Sequence, residues 1–205
     1  MLGFKTEGII LKRRDFGEAD RILTVFSLHR GKITVLAKGV RRITSRRGGN
    51  VELLNRVQMF LYPGKNFLIL TEAISLDTFQ KLKEDLILST YAFHILELVN
   101  KLTAENQENR DLYSHLVEVL KRLSRKPRQI LIRAFEVKIL SNLGFAAFRA
   151  STSKVSAQLE TGSWDEIEKM EIQEKQALEL EQTLRYTIER VIEGKLKSRQ
   201  FLKKI

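Results

Sequence analysis

The stretch GKITVLAKG, residues 31–39, decides the predicted fold of the N-terminal part of the chain. Apolar Ile33, Val35 and Ala37 alternate in it with Lys32, Thr34 and Lys38, which is the two-residue period of a β-strand with one face in water. Four more runs rich in β-branched, aromatic and leucine residues occupy residues 5–11, 21–28, 51–62 and 67–76. Five strands in about 75 residues, joined by glycine-bearing turns, are typical of an OB-type barrel. Strand order cannot be read from spacing, so a sheet of another topology stays open.

The sequence changes period after Asp77. In LKEDLILSTYAFHILELVNKLT, residues 82–103, apolar residues recur at steps of three and four, which predicts one long helix with a wide buried face. Further helices are expected over 109–124, from near Pro127 to Leu143 with Gly144 as the stop, from a capping box at Ser163 and Glu166, and over 172–193. Residues 146–163, rich in Ser, Thr and Ala, are expected to form a loop. The sequence therefore predicts an α+β fold, with an OB-fold nucleic-acid-binding barrel over 1–77 and an α-helical domain over 78–205.

Composition and charge narrow the classes of protein. The chain has 205 residues, 43% of them hydrophobic, and can bury a real core. It has no cysteine, which excludes disulfides and thiolate zinc sites. No apolar run approaches the roughly 18 residues that a membrane span needs, and charged residues come too early for a signal peptide, so we expect a cytoplasmic protein. The formal net charge of +11 favours a polyanionic partner, usually nucleic acid.

Positive charge is concentrated in one segment. Between Arg21 and Val51 the chain has eight basic residues and no acidic one. The densest part is LAKGVRRITSRRGGN, residues 36–50, whose cations are Lys38, Arg41, Arg42, Arg46 and Arg47. Guanidinium groups suit phosphate oxygens and stack on bases, and the three glycines of the stretch let the backbone approach a phosphate. A solvated loop is the alternative, but the place of the stretch between strands of a candidate OB barrel favours DNA or RNA as the ligand.

Three stretches of the chain resemble the bacterial RecO family of recombination mediators. GIILKRRDFGEADRILTVFSLHRGKITVLAKGVRR, residues 8–42, is similar to the N-terminal signature of that family, above all in GEADRIL, HRGK and LAKG. IRAFEVKILSNLGF, residues 132–145, is similar to its central helix, and KLKSRQFL, residues 195–202, to its C-terminal ending. These matches fall at the start, middle and end of the chain, so the resemblance covers most of it.

The resemblance implies an OB domain, a helical domain and binding to single- and double-stranded DNA. Members of the family anneal complementary strands, pair with RecR, engage the acidic C-terminal tail of the single-stranded-DNA-binding protein, and help RecA replace that protein on DNA. We therefore expect a mediator of recombinational DNA repair that is not an enzyme and needs no cofactor. The resemblance places it in the bacterial cytoplasm, associated with the nucleoid during repair.

The resemblance also assigns roles to residues. The expected phosphate contacts are Arg13, Arg14 and Arg21 in the first signature, and Lys38, Arg41, Arg42, Arg46 and Arg47 in the loop that follows. Arg133 takes the position at which the family's helical domain resembles a clamp for the partner's terminal carboxylate, and an ordinary helix-surface arginine is the alternative. Lys195, Lys197 and Arg199 are expected to extend the DNA surface, and cations favoured by a helix dipole are the alternative.

Many members of the family have a four-cysteine zinc module after the central helix, and this chain departs from them. Residues 147–164 contain no cysteine, so we expect a shortened loop and no metal there. His29, His94 and His115 are too scattered along the chain to suggest a metal site.

Two other classes of protein stay open. A structural RNA-binding OB protein would prefer structured RNA to single-stranded DNA and would not anneal strands. A metal-dependent nuclease would use Asp15, Glu18 and Asp20, although Arg21 and its neighbours are placed to neutralise these acids.

Overall fold

The computed structural model describes residues 2–145 and 153–198. The chain divides into two compact units. The barrel unit comprises Met1–Phe79 and Thr103–Tyr113, and the helical unit comprises Gln80–Leu102 and Ser114–Ile205. The sequence predicts one boundary near residue 77 and contains no signal that the later segment Thr103–Tyr113 belongs with the barrel. Within the described ranges, no helix combines the length and the apolar character that a membrane span requires.

Five strands form the barrel, and their order confirms the predicted OB-type topology. The strands are β1 (Phe4–Phe16), β2 (Asp20–Ser27), β3 (Gly31–Ala37), β4 (Arg56–Pro63) and β5 (Leu68–Asp77). They close in the order β1-β2-β3-β5-β4, and β4 pairs with β1. All pairings are antiparallel except that of β3 with β5. Closure removes the free sheet edges that would otherwise template aggregation.

The barrel is filled by the apolar side chains that alternate along its strands. Ile33, Val35 and Ala37 of β3 are buried, as the sequence predicts, and they pack with Leu23 of β2 and Met59 of β4. Burial of an isoleucine, valine, leucine or methionine side chain contributes about 1.5–3 kcal/mol. The exposed faces of the five strands carry polar and charged residues together with Phe16, Tyr62, Ile74 and Leu76.

The segment Thr103–Tyr113 belongs to the barrel unit because it lies along β3. The backbone N–H of Asn106 donates to the carbonyl of Lys32 at 2.8 Å. Gly31 has a φ of +60°, and a Cβ there would lie 1.7 Å from the carbonyl oxygen of Gln107. Only glycine fits this position, because both the left-handed backbone and the close approach exclude a side chain.

Seven α-helices are found among the described residues. They are α1 (Gln80–Glu84), α2 (Leu86–Leu102), α3 (Arg110–Arg125), α4 (Gln129–Asn142), α5 (Lys154–Thr161), α6 (Trp164–Lys169) and α7 (Glu174–Val191). The prediction of one helix over 82–103 is wrong, because the helix is interrupted at Asp85. The Asp85 carboxylate accepts hydrogen bonds from the backbone N–H groups of Ile87 and Leu88, each at 2.8 Å, and so starts α2 as a new helix.

The prediction of a loop over 146–163 is wrong for residues 154–161, which form α5. Ser153 begins this helix, because its hydroxyl accepts a hydrogen bond from the backbone N–H of Ser156 at 3.3 Å. Val155 and Leu159 are buried on one face, four residues apart, and this burial outweighs the local preference of serine and threonine for turns. Residues 146–152 lie outside the described residues. The capping box of Ser163 and Glu166 is confirmed and begins α6.

Helix α4 is the core element of the helical unit. Ten of its residues between Ile130 and Leu140 are buried, which is more than one face of a surface helix can provide. The helix ends where the sequence predicts, since Gly144 follows it with a φ of +75°. Two of the buried residues, Glu136 and Lys138, are ionisable, and Glu136 bears on one of the candidate sites below.

Candidate nucleic-acid interface

The β1–β2 turn and the β3–β4 loop are joined at one end of the barrel. The backbone N–H of Arg41 donates to the carbonyl of Ala19 at 2.9 Å, and that of Gly39 donates to the Asp20 carboxylate at 2.8 Å. The Arg41 guanidinium also donates to the carbonyl of Gly17 at 3.3 Å. The loop that contains five of the predicted phosphate contacts therefore lies against the turn between the strand of Arg13 and Arg14 and the strand of Arg21.

The β3–β4 loop has an internal framework that holds its shape. A Cβ on Gly48 would lie 2.7 Å from the carbonyl oxygen of Val40, so this glycine serves the close packing of the loop on itself. The Asn55 amide donates to the carbonyls of Gly49 and Asn50, at 3.1 and 3.0 Å. A loop that is fixed in this way presents its side chains in a set geometry, and less ordering is then needed when a ligand binds.

Four cations of this loop, Lys38, Arg42, Arg46 and Arg47, line an open cleft of about 510 Å³. Arg47 is held by protein partners, and we call the other three, Lys38, Arg42 and Arg46, the basic cleft. Their side chains are exposed, and among the described residues no hydrogen bond or ion pair engages them. Asp20 also lines the cleft, but its carboxylate accepts from the backbone of Gly39. Cations in this state can bind phosphate oxygens without first losing a protein partner.

Arg47 lies next to Arg46 in sequence but points at the protein. Its guanidinium donates to three carbonyl oxygens, those of Leu70 at 2.9 Å, Thr71 at 3.2 Å and Lys38 at 2.9 Å. These bonds tie the loop to strand β5. The geometry gives Arg47 a structural task, and the phosphate contact expected for it stays a prediction.

Three further candidate arginines are paired with carboxylates. Arg21 contacts Glu52 at 2.9 Å and Asp15 at 3.2 Å, Arg13 forms a close ion pair with Glu52, and Arg41 contacts Asp15 at 3.3 Å. We call these five residues the paired cluster. Partial burial alone would lower the pKa of Arg21, but its hydrogen bonds to the two carboxylates outweigh burial and raise this pKa.

Arg14 is the one remaining candidate of the first signature. Its side chain is exposed and has no hydrogen-bond or ion-pair partner among the described residues. It follows Arg13 on strand β1, and successive side chains of a strand point to opposite faces. The two arginines therefore present their charges in different directions.

Two of the three acids that a nuclease would use, Asp15 and Asp20, have other partners in the structure. Asp15 directs both carboxylate oxygens at arginines, and Asp20 accepts from the backbone of Gly39. In the part of the chain that the structure describes, no three His, Cys, Asp or Glu residues are grouped so that they could hold a metal ion. A carboxylate that is paired with arginine is a poor ligand for a divalent cation, so the donor set does not favour metal chemistry.

Arg133 belongs to a chain of charged groups inside the helical unit. Its guanidinium contacts Glu136 at 2.7 Å and Glu181 at 3.3 Å, and its side chain is 12% exposed. Glu136 is fully buried and also accepts from Nε2 of His94 at 2.7 Å. We call these four residues the ion chain. The alternative of an ordinary helix-surface arginine does not fit this burial.

The charge balance of the ion chain centres on Glu136. Burial by itself would raise the pKa of this carboxyl group, but the positive charge of Arg133 and the hydrogen bond from His94 hold the pKa down at about 2. Because an ionised carboxylate only accepts hydrogen bonds, we assign the proton between the two groups to Nε2 of His94. Arg133 is thus fixed by internal partners, and its binding of a partner's carboxylate stays a prediction.

The basic C-terminal segment is anchored through its backbone. The Glu97 carboxylate accepts from the backbone N–H groups of Lys197, at 2.9 Å, and Ser198, at 2.8 Å. The side chains of Lys195 and Lys197 are exposed, with no partner among the described residues. Arg199 lies outside the described residues. The anchoring leaves the two lysine side chains available to an anion.

Sequence reasoning missed the partners that decide which cations are available. Glu52 pairs with arginines 31 and 39 positions away, and no local pattern signals such a contact. Glu136 offered a usable signal, since it lies between apolar Phe135 and Val137 with Arg133 three positions before it, and an ionisable group at a buried helix position needs a partner of opposite charge.

Comparisons with known proteins identify relatives of both units. The family model Recombination protein O N terminal matches residues 1–79, and Recombination protein O C terminal matches residues 83–147. A DNA repair protein RecO from Acetivibrio thermocellus is 37% identical over 153 residues, covering 73% of this chain and 61% of that protein. The RecO of Pelotomaculum thermopropionicum is 37% identical over 142 residues (69% and 56%), and that of Alkaliphilus metalliredigens is 32% identical over 163 residues (78% and 65%). The matched part of the chain thus spans 56% to 65% of the length of these three relatives.

Proposed function

This chain belongs to the Recombination protein O family, and from that premise we propose that it is a DNA-binding mediator of recombinational DNA repair. In this proposal it binds single- and double-stranded DNA and anneals complementary strands. With RecR it helps to load RecA onto DNA coated by the single-stranded-DNA-binding protein. It acts in the bacterial cytoplasm, at the nucleoid during repair, by binding and without catalysis.

The basic cleft is the observation that carries the proposal. Lys38, Arg42 and Arg46 lie on one loop around an open cleft, and no described residue forms an ion pair with them. The backbone of a nucleic acid carries closely spaced phosphate charges. A surface of unpaired cations is therefore suited to bind it. Contacts of this kind position the strand and carry no sequence information, which suits a protein that must act on any gapped DNA.

Annealing follows from the same electrostatics. Two complementary strands repel each other through their phosphates, and a basic surface lowers this repulsion while it releases condensed counterions. The barrel unit supplies the basic cleft and Arg14, and the helical unit supplies Lys195 and Lys197 with Arg199 beyond them. The role of these cations is part of the proposal. Each phosphate contact should add about 0.7–0.9 to the slope of log affinity against log salt.

The experiment that tests the proposal compares the unmodified chain with Arg42→Ala/Arg46→Ala in the annealing of complementary fluorescent oligonucleotides. Arg41 and Arg47 are left unchanged because they hold the loop together. The matched control is Lys5→Ala/Lys65→Ala, which removes the same charge from exposed positions of the barrel unit outside the cleft.

We expect the cleft variant to anneal more slowly and to lose between one and two units of salt slope, and the control to resemble the unmodified chain. The assay is run over about 50–200 mM salt, where phosphate contacts change affinity most visibly. Equal loss in both variants would show that only net charge matters. Binding to structured RNA without annealing of DNA would favour the structural RNA-binding alternative.

The partner-tail contact is tested separately, with Arg133 left in place. We propose that Arg133 binds the terminal carboxylate of the single-stranded-DNA-binding protein's tail, and Glu181 now occupies one side of its guanidinium at 3.3 Å. Glu181→Gln removes the competing charge, so a labelled tail peptide should bind more tightly to this variant. Unchanged or weaker binding would contradict the assignment of Arg133.

A further inference from the structure

The paired cluster contains fewer available charges than its sequence suggests. Arg13, Arg21 and Arg41 are three of the candidate phosphate contacts, and the carboxylates of Asp15 and Glu52 engage all three. The cluster therefore has a net charge of +1, whereas the three cations of the basic cleft are not engaged by any described residue. Two carboxylates on the protein occupy the guanidinium groups that phosphate oxygens would occupy in a complex.

The geometry of these pairs resembles that of an arginine bound to a phosphate. Glu52 directs one oxygen at Arg21, at 2.9 Å, and the other at Arg13, so one carboxylate bridges two guanidinium groups. Asp15 bridges Arg21 and Arg41 in the same way, at 3.2 and 3.3 Å. A phosphate diester has two non-bridging oxygens and can make the same bridging contacts.

The pairs made by Arg13 and Arg41 are exposed enough to exchange partners, and Arg21 is the most enclosed member of the cluster. The side chains of Arg13 and Glu52 are 37% and 36% exposed, those of Asp15 and Arg41 are 56% and 33% exposed, and that of Arg21 is 18% exposed. Ion pairs in contact with water contribute little to stability because water and salt screen them. A phosphate that replaces a carboxylate here gives the arginine an equivalent partner and also releases counterions from the nucleic acid.

We propose that Asp15 and Glu52 act as internal competitors of the DNA backbone, and that they set the affinity of this end of the barrel. In this scheme the basic cleft binds a strand first, because its cations have no partner to give up. The arginines of the paired cluster join when a phosphate displaces their carboxylate. The two acids are thus positioning residues that keep the affinity moderate, which lets a strand leave again after it has annealed. The inference rests on the proposed function, since it assumes that the ligand is DNA.

The test measures binding of a fluorescent single-stranded oligonucleotide to the full chain by anisotropy. Glu52→Gln keeps the shape of the side chain and removes its charge, so Arg13 and Arg21 become available. Glu72→Gln is the matched control, because Glu72 is an exposed acid on β5 with no described cation partner. We expect Glu52→Gln to tighten binding about three- to tenfold and Glu72→Gln to change it by less than about twofold.

A double-mutant cycle separates competition from simple repulsion. If Glu52 acts by occupying Arg13, the gain from Glu52→Gln must shrink when Arg13 has already been changed to Ala. The same cycle with Asp15→Asn and Arg41→Ala provides an independent pair, and thermal denaturation of each variant confirms that it is folded. An equal gain in both backgrounds, or weaker binding by Glu52→Gln and Asp15→Asn, would overturn the inference while leaving the proposed function intact. Absence of DNA binding by the unmodified chain would overturn both.

Discussion

Arg46 in the barrel unit and Arg133 in the helical unit are both arginines that the sequence assigns to anion binding, and their surroundings differ. Arg46 is exposed at an open cleft with no described partner. Arg133 is largely buried, and two carboxylates of the same unit engage it. The comparison teaches that the residue type predicts the chemistry an arginine can perform, whereas the carboxylates around it decide whether that chemistry is already used inside the protein.

The energetic consequences of the two arrangements are opposite. An exposed arginine contributes little to the stability of the fold, and its removal is expected to change stability by about 0.5 kcal/mol or less. A buried ion pair that loses one partner leaves an uncompensated charge, which costs about 3–5 kcal/mol. The two regions can therefore be distinguished by measuring stability and binding on the same variants.

The largest expected effect is on stability and concerns Arg133→Met. This change leaves Glu136 fully buried without its main source of positive charge, so the free energy of unfolding should fall by about 3–5 kcal/mol. Chemical denaturation of the full chain measures the loss. The control is Arg185→Met, which breaks an exposed pair with Glu189 on helix α7 and should cost about 0.5 kcal/mol or less. Similar losses for the two variants would show that Arg133 is no more important to the fold than an exposed arginine.

The next effect is the dependence of stability on pH. The pKa of Glu136 is lowered from its ordinary value of 4.5 to about 2. Because the folded-state pKa lies below the unfolded value, this stabilisation is complete above about pH 4.5 and is lost as the pH falls towards 2. A shift of this size corresponds to about 3 kcal/mol.

Denaturant titrations of Glu136→Gln provide the check on this pH dependence. The variant has no carboxyl group to titrate at this position, so its stability should fall less steeply than that of the unmodified chain between pH 4.5 and about 2. The other carboxyl groups are the same in both proteins. The difference between the two slopes of stability against pH therefore measures the contribution of Glu136. Parallel slopes would show that the ion chain does not hold this pKa down.

The fold could be predicted further than the site, and particular residues show why. The alternation of Ile33, Val35 and Ala37 is a local property, and burial of one strand face is enough to make it informative. The break at Asp85 depends on a side chain that caps two backbone N–H groups, and the apolar period of the helix runs through it unchanged. Residues 154–161 have the composition of a loop, but they form helix α5 because one face of the segment is buried.

The candidate site is less predictable because its electrostatics depend on distant residues. Arg46 and Arg47 are adjacent and identical in type, yet one faces solvent and the other donates to three carbonyl oxygens. Nothing in the sequence of the loop distinguishes them. The pairing of Arg13 with Glu52 likewise requires strand β1 and the end of the loop to meet, which only the closed barrel arranges.

A smaller effect is expected within the barrel unit, between Arg47 and its neighbour. Arg47→Ala removes three hydrogen bonds from a charged group to backbone carbonyls and should lower the free energy of unfolding by about 1–3 kcal/mol. Arg46→Ala should leave stability within about 0.5 kcal/mol while it weakens DNA binding. Thermal denaturation and anisotropy on the two variants make the comparison. If Arg46→Ala destabilised the chain as much as Arg47→Ala does, the separation of structural from ligand-facing arginines in this loop would be wrong.

The smallest effect concerns Lys197, an exposed cation of the helical unit whose backbone N–H is held by Glu97 at 2.9 Å. Because this anchor uses the backbone, Lys197→Ala should keep the segment in place and change stability by about 0.5 kcal/mol or less. If the side chain contacts phosphate, the salt slope of DNA binding should fall by about 0.7–0.9. Lys154→Ala is the control, since Lys154 is an exposed lysine of α5 with no described partner. If Lys197→Ala had the same salt slope as the control, Lys197 would be a solvated lysine that does not contact phosphate. The phosphate contacts tested would then lie in the barrel unit alone.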